Sequence, residues 1–254
     1  MARLKICKTL RWGACAALTL GTLLGTTAMA DPVFTVTYLA AGVQTPQGIT
    51  SNYENFNSIA VTNGTATTNF NGSSITGTYT GQFEIMPANA YGGAGGTGSY
   101  LAQQYKQSTT LTLSQSVNYF GLWFSALDTG NLLQFYDNGT LVYSFTPTDF
   151  IADVGVCGGG NLYCGNPNNG QDPDQQFAYI NFYDIGSTFN QVVFSEGPGG
   201  NFESDNNAVA NVNSGTTGTV ISPTPEPSGI VLLGTGIAGL AMVLRRRTPL
   251  NASI

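Results

Sequence analysis

Carboxylate and amide side chains are concentrated in one short polar segment, residues 166–174, with the sequence NPNNGQDPD. Asp172, Asp174 and the neighbouring asparagine oxygens are hard donors, and Ca²⁺ binds roughly six to eight such oxygens. The order of these residues differs from that of an EF-hand loop. The segment predicts either a structural Ca²⁺ site or an ordinary solvated acidic turn. Glu203 and Asp205 are weaker candidates for the same role from a second loop.

The acidic residues are also the side chains that suggest hydrolytic chemistry. Glycosidases place two carboxyl groups across a cleft, but no spacing in this sequence fixes such a pair. Histidine is absent from the 254 residues. Its absence excludes serine–histidine and cysteine–histidine catalysis and any histidine metal site. We expect no enzyme, and a carboxylate-based, glycan-active enzyme is the third alternative for the function.

Aromatic residues supply a third kind of candidate site. Trp123, Tyr119 and Tyr136 could present ring faces to a polysaccharide, although aromatic residues in strands more often belong to the core. The sequence does not identify a ligand.

Charge excludes one class of partner. Of the eight basic residues only Lys106 lies between positions 31 and 225, whereas all fourteen acidic residues except Glu226 lie there. So acidic a surface repels phosphate backbones, which excludes nucleic acid.

A glycine pattern near the end of the chain, Gly234-x-Gly236-x-x-Gly239, matches a dinucleotide-binding fingerprint. That fingerprint needs a strand–turn–helix unit and an acidic residue roughly twenty positions further on. No acidic residue follows Glu226, so the pattern does not indicate a nucleotide cofactor.

The uncharged run from residue 229 to 244 instead predicts a transmembrane helix. Such a helix is about 24 Å long, and Ser228 and snorkelling arginine side chains extend it toward the ~30 Å hydrocarbon core. A buried core helix is the alternative. Arg245, Arg246 and Arg247 directly after the run favour the membrane span, with that end in the cytoplasm.

The N-terminal residues predict an export signal at positions 1–30. Four basic residues in the first eleven positions precede the apolar run 14–24, and Ala28 and Ala30 supply small residues at positions −3 and −1 of a signal peptidase site. We expect cleavage after Ala30, which leaves Asp31 as the new N-terminus.

Pro225, Glu226 and Pro227, then the short apolar helix and the arginine cluster, resemble the PEP-CTERM sorting signal of Gram-negative bacteria. The resemblance covers roughly the last thirty residues. It implies that a membrane exosortase recognises the tripeptide, removes the helix and releases or re-attaches the protein at the surface, often alongside exopolysaccharide. The tail 248–254 is longer than the family pattern. The prolines keep the tripeptide extended and accessible; a proline stalk before a permanent anchor is the alternative.

Two cysteines, Cys157 and Cys164, remain once the predicted leader is removed. In an exported protein a disulfide is the default. The glycine-rich segment between them is flexible enough to close the ring, and a redox role would favour closer spacing. We expect a structural disulfide that pins a local loop.

The segment 31–213 predicts an all-β ectodomain, a β-sandwich or jelly roll. Residues 33–38 and 109–114 alternate at period two, and further strands are expected at 191–195 and 208–213. Frequent glycine and asparagine turns and the lack of helical periodicity favour this fold class.

Two segments, 117–126 and 177–183, are aromatic at both alternating sets of positions, which is typical of central strands covered on both faces.

One hairpin is predicted in detail at residues 131–146. Its Asn138-Gly139 turn favours positive φ at both positions. The resulting pairs are Asp137 with Thr140, Tyr136 with Leu141 and Gln134 with Tyr143. The expected core face comprises Leu132, Tyr136, Leu141, Tyr143 and Phe145, and the opposite face comprises Leu133, Phe135, Val142 and Ser144.

The expected organisation is a signal peptide (1–30), an ectodomain (31–213), a flexible stalk with the tripeptide (214–227), a span with its basic cluster (228–247) and a cytoplasmic tail (248–254). The ectodomain is similar to β-sandwiches found on PEP-CTERM tails, notably in YFGLWFSALD and LLQFYDNG. We expect an inner-membrane precursor and then a cell-surface or extracellular protein with a structural or adhesive role linked to exopolysaccharide. A calcium-stabilised carbohydrate-binding module is the second alternative.

Overall fold

A computed structural model describes residues 34–50, 52–197, 200–213 and 216–222. Within these ranges the chain forms thirteen β-strands, one α-helix and one 3₁₀ turn at Ala94–Gly96. The strands are β1 (Thr35–Tyr38), β2 (Thr65–Thr68), β3 (Gly77–Gly81), β4 (Phe83–Pro87), β5 (Ser99–Gln103), β6 (Ser108–Val117), β7 (Tyr119–Leu127), β8 (Asn131–Asp137), β9 (Thr140–Phe145), β10 (Gln176–Tyr183), β11 (Phe189–Glu196), β12 (Phe202–Ala210) and β13 (Thr219–Val220), and the helix is α1 (Thr148–Val154).

The strands pair into two antiparallel sheets. The seven-stranded sheet has the order β13-β1-β10-β7-β12-β5-β4, and the six-stranded sheet has the order β2-β3-β6-β11-β8-β9. Aromatic side chains from both sheets meet in the core between them. The Phe135 ring of β8 lies 4.9 Å from the Phe182 ring of β10 and 6.0 Å from the Phe120 ring of β7, centroid to centroid. The all-β sandwich predicted from the sequence is confirmed.

The two central strands of the larger sheet, β7 and β10, are buried at every residue. This confirms the prediction from their aromatic residues at both sets of positions. One face packs on the six-stranded sheet, and the other, the outer face, carries Trp123, Phe177 and Tyr179. Loop residues such as Val43 and Ala94 pack against these side chains. The outer face is therefore covered by loops.

The hairpin of β8 and β9 turns at Asn138 and Gly139, whose φ angles are 47° and 83°. The pairs beside the turn are those predicted, Asp137 with Thr140 and Tyr136 with Leu141. A β-bulge then changes the register, so the predicted pairing of Gln134 with Tyr143 is wrong. Gln134 faces Ser144, and Tyr143 faces Phe135.

The predicted core face of this hairpin is wrong in part. Strand β8 turns the face of Leu133 and Phe135 to the core, and the bulge changes which residues of β9 lie on that face. Leu133 and Phe135 are fully buried, whereas Leu141 is 48% exposed. Leu132 and Tyr136 are half-buried. Tyr143 and Phe145 do contact the core, because the extra residue, Val142, returns them to the side of Phe135.

Three other features differ from the sequence-based expectation. Helix α1 was not expected, and it buries Phe150 in the core. Strand β12 begins at Phe202, six positions before the strand expected at 208–213. Strand β13 lies in the segment expected to be stalk and pairs with Thr37 and Tyr38 of β1. The start of β12 and strand β13 were missed because their sequences are polar. Strand β12 nevertheless buries Glu203, Ser204 and Asp205.

Cys157 and Cys164 form a disulfide, as predicted, with their Cα atoms 5.5 Å apart. The bond closes the short loop that follows α1. The predicted signal peptide, sorting tripeptide, apolar run and arginine cluster lie outside the described residues. Among the described residues, no helix has the length and apolar character needed to cross a bilayer.

The hairpin register leads to a first prediction. Phe135→Ala removes a fully buried ring and should lower the free energy of unfolding by about 3–5 kcal/mol. Leu141→Ala on the same hairpin removes a side chain that is about half exposed and should cost less than about 1 kcal/mol. Urea unfolding measures both. A larger cost at Leu141 than at Phe135 would contradict the burial of the Phe135 face of this hairpin.

Candidate functional site

A groove opens on the outer face of the seven-stranded sheet between the covering loops, and Ala102 of β5, Ala126 of β7 and Glu203 of β12 line it. Two adjoining clefts, of about 540 Å³ and about 500 Å³, share the residues Tyr91, Tyr105, Asn201 and Glu203. We call the two clefts together the tyrosine groove. The other lining residues are Ala126, Asp128, Gln175 and Gly200 in the first cleft and Glu84, Met86, Asn89, Tyr100, Ala102 and Gln104 in the second.

Tyr91 and Tyr105 present their rings to solvent in this groove. Tyr91 is 52% exposed and Tyr105 is 43% exposed. The Nζ atom of Lys106 lies 4.8 Å from the centroid of the Tyr105 ring, which is a cation–π contact. The backbone N–H of Tyr105 donates to Oδ1 of Asn201 at 3.2 Å. The hydrogen bond to Asn201 holds the turn between β5 and β6 against the segment that leads into β12.

The loop that carries Tyr91 is fixed by close packing and by amide hydrogen bonds. Gly92 lies so close to Tyr100 that a Cβ atom at residue 92 would be 2.6 Å from the ring, so glycine is required there. The backbone N–H of Tyr91 donates to Oδ1 of Asn89 at 2.8 Å. Nδ2 of Asn166 donates to the carbonyl oxygen of Asn89 at 3.1 Å. The exposed ring therefore stands on an ordered loop.

Glu203 lies on the outer side of β12, beside Ala102 of β5 and Ser125 of β7. Only 7% of the residue is exposed. Burial, reinforced by the nearby carboxyls Glu196, Asp128 and Asp172, raises the pKa of Glu203 to about 9. At neutral pH the Glu203 side chain is therefore a neutral acid that can donate a hydrogen bond into the groove.

Glu196, the last residue of β11, is a second buried carboxyl near Glu203. Its Oε2 atom accepts a hydrogen bond from Nδ2 of Asn131, and its Oε1 atom is buried without a partner. Burial and the neighbouring Asp128 raise the pKa of Glu196 to about 7, although the Asn131 hydrogen bond lowers it. Asn131 also accepts a hydrogen bond from the N–H of Asp128 at 2.8 Å, which orders the turn between β7 and β8.

The aromatic residues that the sequence suggested for sugar stacking do not line the groove. Trp123 and Tyr119 are buried, at 1% and 0% exposed, so neither can offer a ring face to a ligand. Tyr136 is half-buried on the six-stranded sheet, where its hydroxyl donates to Gln134 Oε1 at 3.4 Å. Loops cover the outer face of β7, as its aromatic residues on both faces predicted, so Trp123 and Tyr119 belong to buried clusters.

The two aspartates suggested for calcium lie in the loop between the disulfide and β10. Asp172 is half-buried with one unpartnered oxygen, and Asp174 is exposed. Burial and Asp174 raise the pKa of Asp172. In the weaker pair, Asp205 is satisfied by the N–H groups of Ala94 and Asn206, at 2.8 and 2.7 Å. No cluster of three or more acidic, cysteine or histidine side chains able to hold a metal occurs among the described residues; the calcium site at Asp172 and Asp174 stays a prediction.

Tyr91 and Tyr105 are the residues that sequence reasoning missed. Both stand in polar, glycine- or glutamine-rich turns, within YGGAGG and QQYKQ. An aromatic residue in a polar turn cannot join a strand's alternating core pattern. The position of these two tyrosines in polar turns was therefore the signal in the sequence that could have identified them as exposed.

The groove can therefore stack two rings on a ligand and hydrogen-bond to it through Asn201, Asp128 and Glu203. Sites of this kind, with aromatic walls and a few fixed polar groups, suit small molecules and sugars. No family model matches this chain, and no characterised protein or solved structure matches it.

The buried acids generate a prediction about pH. Because the pKa of Glu203 is raised in the fold, its stabilising contribution is full below the unfolded value near 4.3 and is lost as pH rises through about 9. The free energy of unfolding should fall by up to about 1.4 kcal/mol per pH unit for this group. Glu203→Gln should flatten that slope.

The measurement is urea unfolding at pH 5, 7 and 9. Glu84→Gln is the matched control because Glu84 is an exposed carboxyl in the same groove; this variant should keep the wild-type slope. A Glu203→Gln variant with an unchanged slope would contradict the proposed protonation of Glu203.

Proposed function

We propose that this chain is an exported, exosortase-sorted protein of the cell surface or extracellular matrix that adheres to exopolysaccharide through the tyrosine groove. One observation carries the binding part of the proposal. Two half-exposed tyrosine rings, Tyr91 and Tyr105, line the same groove as the buried carboxyl of Glu203.

Ring faces and hydrogen-bonding groups together match the two surfaces of a sugar. The C–H face of a pyranose packs on an aromatic ring, and its hydroxyl groups exchange hydrogen bonds with carboxyl and amide groups. The acidic residues Glu84 and Asp128 line the groove beside the protonated Glu203, and Lys106 stands next to the groove. This charge balance favours a neutral or amine-bearing polysaccharide over one rich in uronate groups.

Export and sorting are supported by the two ends of the chain. The leader with Ala28 and Ala30, and the ordered series of Pro225-Glu226-Pro227, uncharged run and arginine cluster, support cleavage at both ends. Signal peptidase and exosortase are then the processing partners, and the apolar run holds the precursor in the inner membrane.

A glycan-active enzyme is the second candidate because Glu203 and Asp128 line one cleft. Burial keeps Glu203 protonated, as a general acid requires. The test is hydrolysis of a matrix polysaccharide by the wild-type chain. If Glu203→Gln abolishes hydrolysis and retains binding, the function is catalysis and not adhesion.

The adhesive proposal predicts loss of binding when either ring is removed. Tyr91→Ala and Tyr105→Ala should each weaken binding to the cells' own exopolysaccharide by about 5- to 30-fold, which corresponds to about 1–2 kcal/mol for a buried aromatic contact. Binding of the full chain in mild detergent is measured by polysaccharide co-sedimentation. Tyr136→Ala is the matched control and should bind as wild type. Unchanged binding in both groove variants would refute the role of the groove.

The sorting proposal predicts the covalent form at the surface. Protein recovered from the cell exterior should begin at Asp31 and lack the apolar run after Pro227, as intact-mass spectrometry would report. Glu226→Ala should leave the C-terminal helix attached while the leader is still removed. Recovery of chains that keep both Met1 and Ile254 would contradict export and sorting together.

A further inference from the structure

Asp184 is a buried acidic residue that the groove does not use. It follows the last residue of β10 and begins the connection to β11. Only 1% of the residue is exposed, and both carboxyl oxygens are buried without a hydrogen-bond partner. Its backbone is fixed, since its N–H donates to the carbonyl oxygen of Asn118 at 2.9 Å and its carbonyl accepts from the N–H of Ser187 at 3.2 Å.

The other buried carboxyls of the described residues each differ from Asp184. Both oxygens of Glu54 accept hydrogen bonds, from the N–H of Phe56 and the hydroxyl of Thr68. Both oxygens of Asp205 accept backbone N–H groups. Glu196 has one partner, and Glu203 faces the groove. Among these five buried acids, Asp184 alone has two buried oxygens that nothing in the described chain satisfies.

A second carboxyl lies near Asp184. Asp137 ends β8. Burial, reinforced by the charge of Asp137, raises the pKa of Asp184. Asn138 is locked beside Asp137: its N–H donates to Oδ1 of Asn190, and Nδ2 of Asn190 donates back to Oδ1 of Asn138, both at 3.1 Å. Oδ1 of Asp137 accepts from Nδ2 of Asn138 at 3.1 Å. The hairpin turn therefore holds Asp137 at the same end of the sandwich as Asp184.

No basic side chain in the described part of the chain can neutralise this pair. Its one lysine, Lys106, lies over the Tyr105 ring beside the groove. An unpaired carboxylate is costly to bury. A proton would remove the charge but would add a buried O–H donor that also needs a partner. A metal cation satisfies both oxygens and the charge at once.

We propose that Asp184 and Asp137 bind a calcium ion at the end of the sandwich where β8, β10 and β11 meet. Carboxylate oxygens are the ligands that Ca²⁺ prefers. Neutral oxygens from turn carbonyls or water complete the shell, because no third acidic side chain in the described residues joins this pair. Two charged ligands correspond to the weak affinity of extracellular modules, roughly 10⁻⁴–10⁻³ M.

The site is separate from the tyrosine groove. Tyr183, the neighbour of Asp184, pairs with Tyr119 at one end of β7, whereas Glu203 pairs with Ser125 near the other end. Calcium bound at Asp184 would join the two sheets through the β10–β11 connection and stabilise the fold without contacting a ligand in the groove.

The test is thermal unfolding of the full chain in mild detergent, after removal of metals with a chelator, with and without CaCl₂. At calcium concentrations ten times the Kd, the Tm should rise by about 3–6 °C. Asp184→Asn should abolish this rise and should also give a higher Tm than wild type without calcium, since it removes an unpaired buried charge. Asp172→Asn separates this site from the other candidate calcium site and should keep the response that depends on Asp184.

Three results would overturn the proposal: a wild-type Tm that calcium does not change, a full calcium response in Asp184→Asn, or loss of the response in Asp172→Asn with Asp184→Asn unaffected. If Asp184→Asn does not fold, Asp137→Asn tests the proposal instead. It should shift the calcium midpoint at least about tenfold upward, because it removes one of two charged ligands; an unchanged midpoint would overturn the proposal.

Discussion

The two central strands of the larger sheet carry aromatic side chains on both faces, and the rest of the structure depends on how the second face is kept from water. The six-stranded sheet covers only one side. Trp123, Phe177 and Tyr179 on the other side would expose a large apolar surface, so the loops between strands must close over them. Leu39 donates its N–H to Tyr179, and Tyr163 donates its hydroxyl to Leu39 O at 3.1 Å. The groove is the part of that face which the loops leave open.

The same arrangement explains how an acid-rich, lysine-poor domain folds. Loop backbones bring N–H groups to the outer face, and these satisfy carboxyls that no basic side chain could pair with. Asp205, which accepts the N–H of Ala94, connects the loop that carries Tyr91 to β12. Where burial outweighs such donors, as at Glu203, the carboxyl stays protonated. Burial of acids thus positions the groove and sets its electrostatic character.

The sequence predicted the features that depend on local chemistry. Two-sided aromatic segments identified β7 and β10, Asn138-Gly139 identified a hairpin turn, and the two cysteines left after the predicted leader identified the disulfide. It failed where tertiary packing decides. The bulge at Val142 brings Tyr143 of β9 opposite Phe135 of β8, so Phe135 and not Tyr136 faces inward with it, and no local pattern encodes that extra residue. The two-sided aromatic pattern predicted that Trp123 is covered, but it did not show which loops, distant in sequence, cover it. The exposure of Tyr91 and Tyr105 was not visible in the strand pattern, because it depends on where those loops end.

Hydrogen–deuterium exchange of the full chain tests most directly whether the loops form a cover for the outer face. Residues 39–50, 88–98 and 160–170 lie outside the strands, so their amides are protected only where these loops pack on the sheet, as Val43 and Ala94 do. Their protected amides, such as those of Leu39 and Ala94, should exchange nearly as slowly as the sheet beneath, through opening of the whole domain. Exchange of these loop amides at the rate of an unstructured chain, while β7 and β10 stay protected, would contradict the account.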